Sequence, residues 1–167
     1  MAYLIVDGYN IINNWPELEE LREESLEAAR VKLAELLHEF TPLLWEKIII
    51  VYDAYRIKGK LNSYESLKGV ETVYTSEGKT ADTIIERMVV DLNKQGKDVE
   101  VASSDNLEQH IIIWKGGRRL SARELRNLIK ESRQNIINNN FDTPSKNVID
   151  RMLSQEVKSR LEKLRRI

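Results

Sequence analysis

The 167-residue sequence has no cysteine, only two histidines (His38 and His110), three prolines and seven glycines. Without a thiol, disulfides, cysteine nucleophiles and zinc–thiolate sites are excluded. Two histidines, both in predicted helices, give little material for a histidine-built metal site. No hydrophobic run approaches the roughly 20 residues that a membrane-spanning helix needs. The first apolar stretch stops at Asp7 and no basic region precedes it, which argues against a secretory leader. A cytoplasmic protein with no membrane partner is expected. Gly-x-Ser-x-Gly, P-loop and Gly-x-Gly-x-x-Gly patterns are also missing, which disfavours a serine elbow and the usual nucleotide-binding loops. An aspartyl phosphatase ordinarily needs Asp-x-Asp after its first strand, and Tyr9 stands in the second place.

What is present suits one soluble domain: 41% hydrophobic and 32% charged residues, with a net charge of −1. The charge is unevenly spread. Glu17 to Glu39 holds eight acidic and three basic residues; Lys115 to Arg133 holds seven basic and two acidic. Thr143 to Ile167 adds seven basic against three acidic. Such asymmetry creates a local positive field that the total hides, unless these runs are only solvated helix faces.

Hydrophobic patterning predicts an α/β layered fold. Leu4–Val6 and Ile48–Tyr52 are nearly continuous apolar runs, as in parallel strands covered on both faces. Between them Leu26, Ala29, Leu33, Leu36, Leu37 and Phe40 recur at helical spacing, with Pro16 starting a shorter helix and Pro42 ending the long one. A weaker strand is predicted at Val70–Thr75, a helix at about Thr80–Lys94 stopped by Gly96, and a strand around Val99–Val101. Ser103 or Ser104 is placed to cap a helix over Asp105–Trp114. Ser121 with Glu124 makes a capping box for another helix, and Thr143-Pro144 opens a last one striped by Ile149, Leu153, Val157, Leu161 and Leu164. Ala54–Gly69 reads as one long irregular loop.

Four aspartates fall where strands end or helices begin. Asp7 closes the first strand and precedes Gly8, which permits a sharp turn or close approach to a ligand. Asp53 closes the second apolar run, Asp82 opens the helix after Gly78-Lys79-Thr80-Ala81, and Asp105 follows Ser103-Ser104. In open parallel sheets ligands bind outside the carboxyl ends of the strands. Carboxylates gathered there repel one another unless a cation neutralises them. Hard oxygen donors suit Mg²⁺ or Mn²⁺, and with them phosphoryl-transfer chemistry. Asp7, Asp82 and Asp105 are the expected metal ligands, with Glu86, one helical turn past Asp82, as an auxiliary. Asp53 and Asn10 complete the expected catalytic group, Asn10 to position a phosphate or to hold Asp7. Each acid singly has a plainer reading as a helix cap or loop anchor, and acids near a helix start are favoured by the dipole alone.

Outside these positions lie groups suited to a polyanion. Tyr9, Tyr55 and Tyr64 are candidate platforms for unpaired bases; Arg118, Arg119, Arg123 and Arg126 flank a glycine turn. Arg56, Lys58 and Lys60 add charge within the long loop. Trp15, Trp45 and Trp114 read as core.

Ile5-Val6-Asp7-Gly8-Tyr9-Asn10, Val51-Tyr52-Asp53-Ala54-Tyr55, Thr80-Ala81-Asp82, Ser104-Asp105-Asn106 and Ser121-Ala122-Arg123-Glu124-Leu125 occur in an order that resembles the YacP-like members of the NYN branch of PIN-like nucleases. The resemblance spans the whole chain. It implies a three-layer fold with a central, mainly parallel sheet flanked by helices, a nuclease domain over 1–140 and a basic C-terminal helix over 141–167. It further implies a metal-dependent endoribonuclease with Asp7, Asp82 and Asp105 holding the ion, acting on messenger RNA at the translating ribosome as a monomer or weak oligomer. Some NYN nucleases carry another acid one helical turn after the Ser-Asp-Asn aspartate; here Gln109 stands there, leaving Asp53 or Glu86 to complete the set. The rival readings are an RNA- or ribosome-binding protein that does not cut, and a PIN-like nuclease directed at DNA.

Overall fold

The structure, a computed structural model, describes residues 1–41, 43–53, 64–67, 69–76, 78–105, 112–113 and 115–140. The chain runs β1 (Tyr3–Asp7), α1 (Gly8–Asn14), α2 (Pro16–Glu24), α3 (Leu26–His38), β2 (Lys47–Tyr52), β3 (Tyr64–Leu67), β4 (Val70–Tyr74), α4 (Ala81–Lys94), β5 (Val99–Ala102), β6 (Arg118–Leu120) and α5 (Ala122–Asn140). These strands make one sheet in the order β3-β4-β2-β1-β5-β6. Five are parallel, and only β3 runs antiparallel, against β4.

The near-continuous apolar runs follow from this layering. Leu4, Val6, Ile48 and Ile50 pack beneath α1, α2, α3 and α5. Their alternates Ile5, Ile49 and Val51 meet α4 through Ala81, Ile85 and Val89. A strand covered on both sides has no polar face to alternate with. Trp15 and Trp45 are core residues, as expected.

Local signals place most boundaries. Pro16 occupies the first turn of α2. Ser25 accepts a hydrogen bond from the Ala28 amide and starts α3, while Thr80 accepts one from Thr83 and starts α4. Gly96, with φ 75°, follows the end of α4. Ser121 and Glu124 exchange hydrogen bonds at 2.9 and 3.1 Å, closing the capping box before α5.

Three features differ from the sequence reading. β3 occupies part of the stretch expected to be irregular, and β6 sits where only a turn was expected. Both are edge strands of three or four residues, too short to carry a periodic signal. α1 begins at Gly8 directly, with no loop between. A Cβ on Gly8 would lie 2.1 Å from Tyr52 Cε1. The glycine is there to admit the Tyr52 ring against the helix start, not to make a sharp turn. Pro42, His110, Trp114 and the expected terminal helix at 141–167 lie outside the described residues.

Candidate active site at the carboxyl edge of the sheet

β1 and β5 are neighbours, as are β1 and β2, so their carboxyl ends share one edge. Asp7 is the last residue of β1, in register with Val51, and is half-buried. It stands at the N-cap position of α1, yet its side chain makes no capping hydrogen bond there. The capping explanation therefore does not account for Asp7.

Asp53, just past the end of β2, has a different role. Its Oδ1 accepts a 2.7 Å hydrogen bond from the backbone N–H of Ala81, the first residue of α4. A carboxylate on a helix N-terminus satisfies an orphan amide and faces the positive end of the dipole. Asp53 thus ties α4 to the edge and sets the position of the next residue, Asp82. Asp82 is exposed and is not itself the cap, since Thr80 fills that place. Glu86 is half-buried one turn further along α4.

On the other side of β1, Asn10 accepts a 2.8 Å hydrogen bond at Oδ1 from the Ser104 amide. Ser104 Oγ in turn accepts from the Ala122 amide at 3.2 Å. Ser103, fully buried, accepts at Oγ from the Asp105 amide at 3.2 Å. These bonds fix the segment after β5 between α1 and the start of α5, and they carry the exposed Asp105 to the same edge. Sequence reading placed Ser103 or Ser104 as the cap of the helix that follows immediately. That helix lies mostly outside the described residues; Ser104 Oγ meets the first amide of α5, 18 positions on, a pairing that local spacing does not reveal.

The structure thus brings Asp7, Asp53, Asp82 and Asp105 to one edge, with Asn10 joining two of the elements that carry them. Among the described residues, no three His, Asp or Glu side chains lie close enough to hold one metal ion.

The groups expected to meet RNA divide. Tyr9 is 6% exposed, its ring 4.8 Å from that of Tyr52, so it belongs to the core and offers no face for base stacking. Arg126 is forked onto the Glu17 carboxylate at 3.0–3.2 Å and fastens α5 to α2. Arg118 lies 3.9 Å from the buried Glu100, which also accepts a 2.7 Å hydrogen bond from Trp45 Nε1. Arg119 and Arg123 are exposed. Tyr55, Arg56, Lys58 and Lys60 lie outside the described residues. No helix among the described residues is long and apolar enough to cross a membrane.

Comparison with known proteins agrees with this architecture. The sequence matches the family model of the YacP-like NYN domain over residues 4–166. It is 36% identical over 167 residues to the uncharacterized protein YacP of Bacillus subtilis, covering 99% of this chain and 98% of that one. The crystal structure of Rae1 (YacP) from Bacillus subtilis superposes with a TM-score of 0.73 at 36% identity, covering 99% of this chain and 95% of the other. Its W164L mutant gives a TM-score of 0.71, covering 98% and 99%. The chain belongs to the YacP-like NYN domain family.

Proposed function

We propose that this protein is a metal-dependent endoribonuclease that hydrolyses RNA phosphodiesters and cuts messenger RNA in association with the translating ribosome. Membership of a nuclease-like family supports the reaction class. The observation that carries the proposal is Asp7: a half-buried carboxylate at the end of a central strand, making no cap to its own helix, on the edge that also bears Asp82 and Asp105. The donor chemistry fits Mg²⁺ or Mn²⁺, because these side chains offer only carboxylate oxygens. Asp7, Asp82 and Asp105 share the edge without converging on one point, so holding the ion would draw them together, with Glu86 as an auxiliary. When bound, it would supply a water of lowered pKa and offset charge developing on the phosphate.

The chain's own residues prepare the edge for this work. Asp53 holds the start of α4, and Asn10 holds the segment after β5, so acids far apart in sequence keep fixed elements beneath them. Preorganisation of that kind removes reorganisation from the reacting step. Arg119 and Arg123 are exposed cations for the polynucleotide or ribosome. The expected products are a 5′-phosphate and a 3′-hydroxyl.

The test is cleavage of a messenger RNA in a translating system with Mg²⁺, with Mn²⁺ and with chelator, beside free RNA and DNA. Asp7→Asn and Asp82→Asn should each lower cleavage at least 100-fold with unchanged far-ultraviolet circular dichroism. Ribosome or RNA binding without any metal-dependent cutting would make the protein a binding module; cutting confined to DNA would redirect it to that polymer.

A further inference from the structure

Most arginines engaged in contacts here meet carboxylates: Arg22 with Glu23, Arg118 with Glu100, Arg126 with Glu17 and Arg133 with Glu39. Arg30 does not. It lies in the first half of α3 and is half-buried. Among the described residues its side-chain hydrogen bond is a long one, 3.4 Å, to the phenol oxygen of Tyr9. A guanidinium carries five N–H donors in a fixed fork. Drawing it part-way out of water without an acid costs desolvation energy that a single weak bond to a phenol does not offset.

A second donor lies close by. Tyr52 ends β2, is 1% exposed, and its buried hydroxyl has no hydrogen-bond partner among the described residues. Buried tyrosine hydroxyls usually find one. Burial raises the Tyr52 pKa well above the ordinary value, Tyr74 and Tyr9 raise it further, and Arg30 opposes them. The phenol is therefore protonated at neutral pH.

The position of this corner matters as much as its chemistry. Tyr9, Tyr52 and Tyr74 form a row with centroid spacings of 4.8 and 5.7 Å. Tyr52 and Tyr74 are the last, paired residues of β2 and β4, and Tyr9 sits between Gly8 and Asn10 in the first turn of α1. The row follows the carboxyl edge, on the sheet face covered by α1 and α3. Arg30 reaches Tyr9 from above it. A partly exposed guanidinium with no carboxylate among the described residues, backed by an enclosed hydroxyl with no acceptor among them, suits a multi-oxygen anion, and the planar fork of arginine suits phosphate in particular.

We propose that Arg30, with the Tyr9 and Tyr52 phenols behind it, forms a subsite that holds a backbone phosphate of single-stranded RNA beside the aspartate edge. The inference rests on the nuclease reading and adds a phosphate contact to it. Arg30 makes the contact, and among the described residues no carboxylate competes for its guanidinium. Four aspartates along one edge repel a polyanion, and a cation on the α3 side gives the strand a point of attachment next to them.

Binding of a fluorescein-labelled single-stranded RNA to the full chain, followed by anisotropy in chelator so that nothing is cut, tests this directly. Arg30→Gln should weaken binding roughly tenfold. It should also lower the slope of log affinity against log salt by about 0.7, the loss of one phosphate contact. Arg30→Lys should keep the slope and lose part of the affinity. Thermal unfolding of Arg30→Gln should match the parent, because the replaced cation has no acid partner among the described residues. Unchanged affinity and slope in Arg30→Gln, or no RNA binding by the parent, overturns the subsite. Arg30-dependent binding by a protein that cuts nothing during translation would leave the subsite standing and overturn the nuclease reading alone.

Discussion

At a strand end a carboxylate can serve the reaction or serve the scaffold, and Asp53 shows how geometry separates the two. Its Oδ1 receives the Ala81 amide at 2.7 Å, so what the fold asks of it is an acceptor oxygen rather than a charge. Asp53→Asn keeps that oxygen and should change stability little. Asp53→Ala orphans a helix amide and should cost about 1 kcal/mol, the usual worth of a lost cap. Cleavage should follow the same order, falling further in Asp53→Ala because α4, and Asp82 with it, loses its tether. Urea unfolding beside the translating cleavage assay reads both effects. A stable but inactive Asp53→Asn would move Asp53 into the reacting group. Sequence alone could locate Asp53 but not choose between these roles, because the partner amide lies 28 positions away. Gly8 is a parallel case: its place after Asp7 was legible, while its cause, the Tyr52 ring, belongs to another strand. Arg30 was hidden more thoroughly, one of three cations in the most acidic stretch of the chain.

Most helices were legible through a cap, a proline or a stripe; α1, which has no side-chain cap and no proline, was not. Thr80 and the Ser121–Glu124 box sit where local spacing put them, while Ser25, which caps α3, was not singled out. β3 and β6 were not legible; each owes its existence to a longer neighbour already in the sheet. How α5 docks was also beyond spacing arguments. The opposite charge runs along the chain turn out to face each other: Arg126 grips Glu17 and Arg133 grips Glu39, beside a buried 2.8 Å hydrogen bond from Trp15 Nε1 to the Ala122 carbonyl. Burial pushes the Glu17 carboxyl upward, but the Arg126 hydrogen bond and charge outweigh it, so the folded-state pKa lies below the ordinary one. A depressed carboxylate stabilises the fold above its unfolded pKa and loses that contribution as pH falls through the folded value. The pair is largely exposed, which limits it to about 0.5–1 kcal/mol. Glu17→Gln should therefore lower stability by that amount at pH 7 and differ less from the parent as pH falls below about 4. Parallel pH profiles of urea midpoint for the two proteins would show that α5 docks without help from this contact.

For the whole molecule, the decisive question is whether the carboxyl edge acts as one unit. Asp7 belongs to β1, Asp82 to a helix on one face of the sheet, and Asp105 to the segment that Asn10 ties to the opposite face. An ion shared by these three would link parts of the chain that meet only in the folded state, so its binding energy would add to global stability. At a Mn²⁺ concentration 100 times the dissociation constant the gain is about 2.7 kcal/mol. For a domain of this size that corresponds to a rise in Tm of about 5–10 °C. Thermal unfolding of the full chain with Mn²⁺ should show this rise, chelator should reverse it, and Asp7→Asn should reduce it to nearly nothing. Asp53→Asn should retain most of it, because that oxygen is already committed to the Ala81 amide. The experiment needs neither ribosome nor RNA, so it reads the acidic edge separately from any substrate. A parent protein whose Tm ignores Mn²⁺ and Mg²⁺ alike would remove the ion from the mechanism. Asp7, Asp82 and Asp105 would then be neighbours by topology alone.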